Sequence, residues 1–439
     1  MEARSRPAAG LEALLKLPVE LIEMIVECLR TWAEKQDFFN LRLTHRVLHE
    51  KTFRLFGKLY FEHVKIEMTL KNLQRLIDIS AHPTVAEHVK TLEIIVQDFD
   101  NSDLAYVQLY ADDWLEGISR RDNTRLKEAQ DIYDQFCSEF VDRIDSDKRI
   151  RESGLTHSLL TRAMSRLENL ETLSCDCNYR SQRTWLEKLW DDLLSRSGFD
   201  DDLPVLDFDW DVRARRERRR CNMDIILSAV IASGVAPARM EFSGGLFVVK
   251  KETPESGHPE NLLYEKLFRD SFRNLKILEV VLSADAESDV KNMPWFLGTA
   301  CASLQELAIV CHEDAQEQEQ DALIPILDSI LATCKFESLQ VLGLSIPASA
   351  TTHLSQFIRR NGKSLRDIEI NISPSKNAKW SEVLRACLEA GRLESLDLRT
   401  YADCYGSGHS VTFSPENPPP RRPEEVLERW EELERDAEL

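Results

Sequence analysis

The chain is short of positive charge: 56 Lys and Arg stand against 76 Asp and Glu in 439 residues, a formal net charge of −20. A general nucleic-acid binder needs a basic surface to neutralise phosphates, so that class is excluded, as is docking on anionic lipid. No run approaches the roughly 18 apolar residues of a membrane span. The amino terminus, MEARSRPAAGLEALLKL, has no apolar stretch long enough for a signal peptide. Ten cysteines occur without a CxxC pair, and ten histidines show no ligand spacing, so no metal site is expected. GxSxG, P-loop and HExxH patterns are all missing. Cys311 and His312 are sequence neighbours, and neighbours on a strand point to opposite faces, so they make a poor nucleophile–base pair. The chain therefore reads as a non-catalytic protein without cofactors. Its thiols are expected to be reduced, in the cytoplasm, the nucleus or both.

What is present is ample core material, with hydrophobic residues at 43%. The length suggests two or three domains, or one elongated repeat array. LPVELIEMIVECL, residues 17–29, opens with Pro18, which suits a first helical turn because its missing N–H costs nothing there. As a helix it carries two apolar stripes side by side. Leu21, Met24, Ile25 and Cys28 form one; Val19, Ile22, Val26 and Leu29 form the other. A surface helix normally needs one stripe, so the second must meet either the rest of this chain or another protein. DFFNLRLTHRVLHEKTFRLF, residues 37–56, repeats Phe38, Leu41, Val47 and Leu48 at helical spacing, interrupted by Thr44 and His45. Cys28 and Cys387 fall on apolar helical positions and read as small core hydrophobes.

These segments, followed by LIDISAHPTVAEHVKTLEI at 76–94, resemble the F-box and its downstream linker in the form found in many fungal F-box proteins. The sequence departs from that pattern in the polar RTWAEKQ insert, residues 30–36, and at His45. The resemblance implies docking on a Skp-type adaptor and, through it, on a cullin. It would place Leu17, Pro18, Leu21, Ile22, Ile25, Val26, Leu41 and Leu43 at or near that interface.

A second pattern, apolar-x-x-apolar-x-apolar, recurs as VKTLEI (89–94), LETLSC (170–175), LKILEV (275–280), LQELAI (304–309), LQVLGL (339–344), LRDIEI (365–370) and LESLDL (393–398). ARMEF (238–242) is a looser copy, with Pro237 at its first position. The last two apolar positions share one strand face. Helix-like segments lie between copies, including THSLLTRAMSRL, WLEKLWDDLLSRSG, MDIILSAVIASG, DALIPILDSILATC and WSEVLRACLEAG. Gly198, Gly234, Gly362 and Gly391 stand at their ends. The expected fold is α/β, with parallel strands on a concave face and helices on a convex one. A doubly wound sheet is the alternative. The series resembles an irregular leucine-rich repeat.

The organisation that follows has a disordered terminus (1–13), F-box helices (14–60), and a linker with the first repeat (61–97). A charged helical insertion (98–155) precedes the solenoid (156–400), a Pro-rich linker (401–421) and an acidic C-terminal helix (422–439). In the insertion, Tyr106, Leu109, Tyr110 and Trp114 form an apolar edge. In the last helix Val426, Trp430 and Leu433 make a short stripe that would cap the array. The run Arg213–Arg220 reads as a solvated helix face or as a nuclear localisation signal.

On a strand, the residue between the last two apolar positions faces solvent. In order these are Glu93, Ser174, Glu241, Glu279, Ala308, Gly343, Glu369 and Asp397, and the next outward position adds Asp176, Asn371 and Arg399. Stacked strands would align the acids into a line of negative potential that grips a basic or polar segment of an unknown target protein. The function expected is substrate recognition in an SCF-type ubiquitin ligase; the alternative is a repeat scaffold with no ligase role.

Overall fold

The computed structural model describes residues 9–30, 35–96, 126–176, 212–242, 259–282, 293–298, 303–311, 317–347, 351–373, 380–400 and 410–413, with isolated positions 104, 108, 112, 115, 116 and 189. The cysteine-bearing positions 28 and 177, the helix expected at 185–198, the apolar edge at 106–114, His312 and the C-terminal helix lie outside the described side chains. Of the Arg213–Arg220 run, only the helical backbone is described.

Five helices open the chain: α1 Ala9–Lys16, α2 Val19–Arg30, α3 Lys35–Thr44, α4 Arg46–Lys51 and α5 Phe53–Phe61. Residues 9–13, expected to be disordered, belong to α1. The 37–56 stretch is not one helix. It breaks at His45, whose extended backbone (φ −156°, ψ 136°) and Nδ1 accept the start of α4, with Val47 N donating at 3.1 Å. The residue that interrupts the apolar stripe is thus a helix cap.

Strands β1 His63–Glu67, β2 Thr91–Ile95, β3 Thr172–Asp176, β4 Arg239–Phe242, β5 Ile277–Leu282, β6 Glu306–Cys311, β7 Val341–Pro347, β8 Asp367–Ser373 and β9 Ser395–Thr400 follow. All nine are parallel, and β10 Ser410–Phe413, inside the segment read as a linker, pairs antiparallel with β9. Strand order equals chain order, without the reversal of a doubly wound sheet. Helices alternate with strands. α6 Leu70–Ala81 and α7 Pro83–Ala86 follow β1; α8 Leu126–Glu152 and α9 Leu155–Met164 follow β2. Between later strands come α10 Val212–Ser233, α11 Pro259–Phe272, α12 Glu317–Thr333, α13 Thr351–Asn361 and α14 Trp380–Glu389. α8 accounts for the charged insertion's helix, with Ile132, Phe136, Phe140 and Ile144 as its buried stripe.

The repeat's apolar positions become three columns of the core. Val89, Leu170, Leu275, Leu304, Leu339 and Leu365 are buried, as are Leu92, Leu173, Met240, Leu278, Leu307, Leu342, Ile368 and Leu396. The third column runs Ile94, Cys175, Phe242, Val280, Ile309, Leu344, Ile370 and Leu398, also buried. Even Pro237, the misfit of the loose copy, is buried in the first column. The sheet begins one strand earlier than the sequence pattern indicated. FEHVKI, residues 61–66, is a further copy, with Val64 and Ile66 in the core.

Each strand start is fastened in the same way: one carbonyl accepts two amides from the next strand's beginning. Glu62 O accepts from Lys90 N (3.0 Å) and Thr91 N (2.9 Å), and Lys90 O accepts from Glu171 N (2.8 Å) and Thr172 N (2.9 Å). The arrangement continues through Glu171, Ala238, Lys276, Gln305, Gln340 and Arg366. Between helices, buried Asn361 accepts from Phe336 N at 2.8 Å and donates to Phe357 O at 2.9 Å.

The glycines divide. Gly234 ends α10 at φ +73°, as a left-handed cap should. Gly362 and Gly391 do not have positive φ. At Gly362 space is the constraint: a Cβ would lie 3.0 Å from Ile358 O and 3.3 Å from Ala390 Cβ. Gly57 on α5 is tighter still, because an added Cβ would come within 2.1 Å of His88 Cδ2. The ring of His88, in the linker before β2, thus seats the helical unit against the sheet. Gly57→Ala is expected to cost about 1–3 kcal/mol by overpacking, read as a lower urea midpoint. His88→Ala in the same background should recover part of that loss.

Candidate functional site

Two surfaces carry the residues singled out in the sequence. The first is α2. Its two apolar stripes have different fates: Ile22 and Val26 are 1% and 3% exposed, whereas Leu21, Met24 and Ile25 are open to solvent, with Met24 59% exposed. Pro18 is exposed and Leu17 half-buried. On α3, Leu41 is half-buried, while Leu43 is 81% exposed and Phe39 also open. Ile22 and Val26 are therefore corrected: they are anchors to the chain itself, not a surface for a partner. Met24 and Phe39 join the exposed set. Their signal was present in the helical spacing, but the sequence offered no means of choosing between two equivalent stripes.

Polar contacts fix this presentation. Glu23, on the buried side of α2, receives Arg54 of α5 through Nε at 3.1 Å and Nη2 at 2.5 Å. Lys51 Nζ donates to Leu15 O at 2.9 Å and Leu17 O at 2.6 Å, closing the carbonyl end of α1. Arg42 lies 3.5 Å from the centroid of Phe56, near the rings of Phe38 and Phe53. Burial lowers its pKa, opposed by Tyr60. Phe38 stacks on Tyr60 at 5.9 Å. The contacts with the ring faces supply electrostatic attraction to Arg42, which has no carboxylate partner among the described residues.

The second surface is the face of the sheet opposite the buried columns, met by α8 at its β1–β2 end, where Arg143 reaches Glu67 at 3.8 Å and Ile95 is buried. Here the register aligns the predicted row across adjacent strands: Glu93, Ser174, Glu241, Glu279, Ala308, Gly343, Glu369 and Asp397, each opposite the next. Lys65 extends the row on β1 and Thr412 on β10. The outward position places Asp176 beside Ile95, and Asn371 beside Arg399.

The row is not a uniform line of negative potential, and that expectation is corrected. Glu93 is paired with Lys65 and lies 2.9 Å from His63 Nε2. Glu241 is paired with Arg239. Asp397 holds Arg399 in a two-pronged pair whose Nε–Oδ1 bond is 3.0 Å. Asn371 Nδ2 donates to Glu369 Oε1 at 3.3 Å. The cations sit two residues away on the same strand face or on the adjacent strand, where side chains of a sheet are neighbours. His63 and Lys65 were missed because their pairing depends on register; Arg239 was missed although it stands two residues before Glu241 on one strand face. Further along, burial and then Glu394 raise the pKa of Asp367, opposed by Arg366.

Among the described residues, no group of three His, Cys, Asp or Glu is placed to hold a metal ion, and no helix is long and apolar enough to cross a membrane. Cys387 is fully buried, its thiol pushed up to about 12 by desolvation; burial takes Cys334 to about 11. Such thiols are packing groups rather than nucleophiles. Compared with known proteins, the chain matches no protein-family model and no curated protein sequence.

The split of α2 is measurable. Ile22→Ala should cost about 2–4 kcal/mol by leaving a cavity, whereas Met24→Ser and Leu43→Ser should each stay within about 0.5 kcal/mol. Urea unfolding of the three variants checks this, and equal losses would mean that both stripes are buried.

Proposed function

We propose that the chain is a substrate receptor of an SCF-type ubiquitin ligase, an F-box protein with degenerate leucine-rich repeats. The observation that carries this reading is the exposed apolar face of Leu21, Met24 and Ile25 on α2, with Leu43 and Phe39 on α3. Exposed apolar side chains of this size, grouped on packed helices, are the usual mark of a protein-binding surface. The pattern LPVELIEMIVECL with its downstream linker gives that surface its partner, a Skp-type adaptor joined to a cullin. The repeats would form the irregular solenoid, and their open sheet face would hold the target. The receptor itself performs no chemistry. Its contribution is proximity, holding the target near the ubiquitin-loaded enzyme of the complex.

A second reading, a repeat scaffold without a ligase role, draws on the burial of Ile22 and Val26 within the chain. The two differ in one measurement. Co-expressed with a Skp-type adaptor, the wild-type chain should retain it through affinity and size-exclusion steps. Leu21→Glu combined with Leu43→Glu should reduce retention at least tenfold, because each puts a charge into an apolar contact. Absence of adaptor from the wild-type preparation would sink the receptor reading in favour of the scaffold.

A further inference from the structure

Charge compensation divides the open sheet face unequally. On β1–β4 and on β9 the central acids have cations beside them. On β5–β8 the row reads Glu279, Ala308, Gly343, Glu369 on four adjacent strands. Glu279 and Glu369 are exposed, and neither they nor the half-buried Glu306 form an ion pair among the described residues. Around the two small residues lie Ile277, Val281, Val310 and Val341, half-buried on the same face. The sheet itself does not require the smallness. A Cβ on Gly343 would meet nothing nearer than Ala308 Cβ at 3.5 Å, an ordinary contact.

We propose that this low apolar floor receives an extended peptide running across the strands, with basic, apolar and basic side chains at alternate positions. The proposal rests on the target-receptor reading and narrows it to a class of target. Glu279 and Glu369 stand three strands apart, roughly 14 Å at about 4.8 Å per strand. An extended chain rises about 3.4 Å per residue and turns i, i+2 and i+4 to one side, which separates i from i+4 by about 14 Å. A Lys or Arg at each end meets Glu279 and Glu369, and a bulky apolar side chain between them falls on Ala308 and Gly343. An acidic peptide would bring like charges together on the same floor and is excluded.

The test is a fluorescence-anisotropy titration of the full chain, without adaptor, against a labelled peptide containing Arg-Ser-Phe-Ser-Arg. The comparison peptides contain Arg-Phe-Ser-Ser-Arg, which turns the aromatic ring to the other side, and Glu-Ser-Phe-Ser-Glu. The matched peptide should bind at least about tenfold more tightly than either. Glu279→Gln with Glu369→Gln should lower its affinity about tenfold, and Gly343→Leu, with an unchanged melting profile, should do the same by raising the floor. Equal binding of the three peptides overturns the proposal, as does indifference to the paired Gln substitutions, which leave the core untouched. Adaptor retention without peptide preference sinks this subsite alone. Peptide preference without adaptor retention sinks the ligase reading and leaves the subsite standing.

Discussion

The doubly accepting carbonyl at each strand start is the constraint on which the rest of the structure depends. From Glu62 to Arg366 the same junction repeats, each time holding two consecutive amides of the next strand. A strand fixed by two bonds at its first residues has one register. In a sheet the side-chain period is two, so a slip of one residue would send every core side chain to solvent and every solvent side chain to the core. The junction therefore does more than add hydrogen bonds. It keeps Leu92, Leu173, Leu278, Leu307, Leu342 and Leu396 in one buried column, and by the same act keeps Glu93 through Asp397 in one open row. Burying such Leu side chains contributes about 1.5–3 kcal/mol each, which is the force that makes the register worth fixing.

The same ladder holds the helical unit. Phe61 is the last residue of α5 and also the first apolar position of the earliest repeat copy, and Glu62 immediately begins the carbonyl series. No free linker separates helices from sheet at that point. His88, closing over Gly57, adds a contact between the two in which an added Cβ would force the ring to shift. A surface carried on α2 is thus oriented by the sheet, through Glu23 and Arg54 to α5 and through α5 to β1.

Much of this was legible in the sequence for a physical reason. The apolar-x-x-apolar-x-apolar unit encodes both faces of a strand at once, so listing its copies yields the core columns and the open row together. What escaped was whatever depends on a choice between equivalent options or on distant pairing. Ile22 and Leu21 are equally apolar on adjacent stripes of one helix, and only the neighbouring helices decide which is covered. FEHVKI escaped because Phe61 ends a helical run and His63 and Lys65 make its strand look polar; both side chains meet Glu93, 30 and 28 residues away. His45 looked only like an interruption of the apolar stripe, because a cap and an interruption have the same sequence signature until the backbone turns. Gly362 and Gly391 stand where left-handed caps belong, yet the backbone does not use them so.

Compensation changes what the open face can do electrostatically. A row of uncompensated acids would attract any cation over its whole length and would be screened by salt beyond about 8–10 Å. Local pairs such as Arg239 with Glu241 and Arg399 with Asp397 instead cancel the far field and leave attraction only where no cation sits. Selectivity then comes from position rather than from net charge, and the −20 of the whole chain is a poor guide to it. β5 is four strands from β1, roughly 19 Å along the sheet at about 4.8 Å per strand. Substitutions that far apart with no shared partner act additively. A substitution on the helical face should therefore leave β5–β8 unchanged, and the reverse.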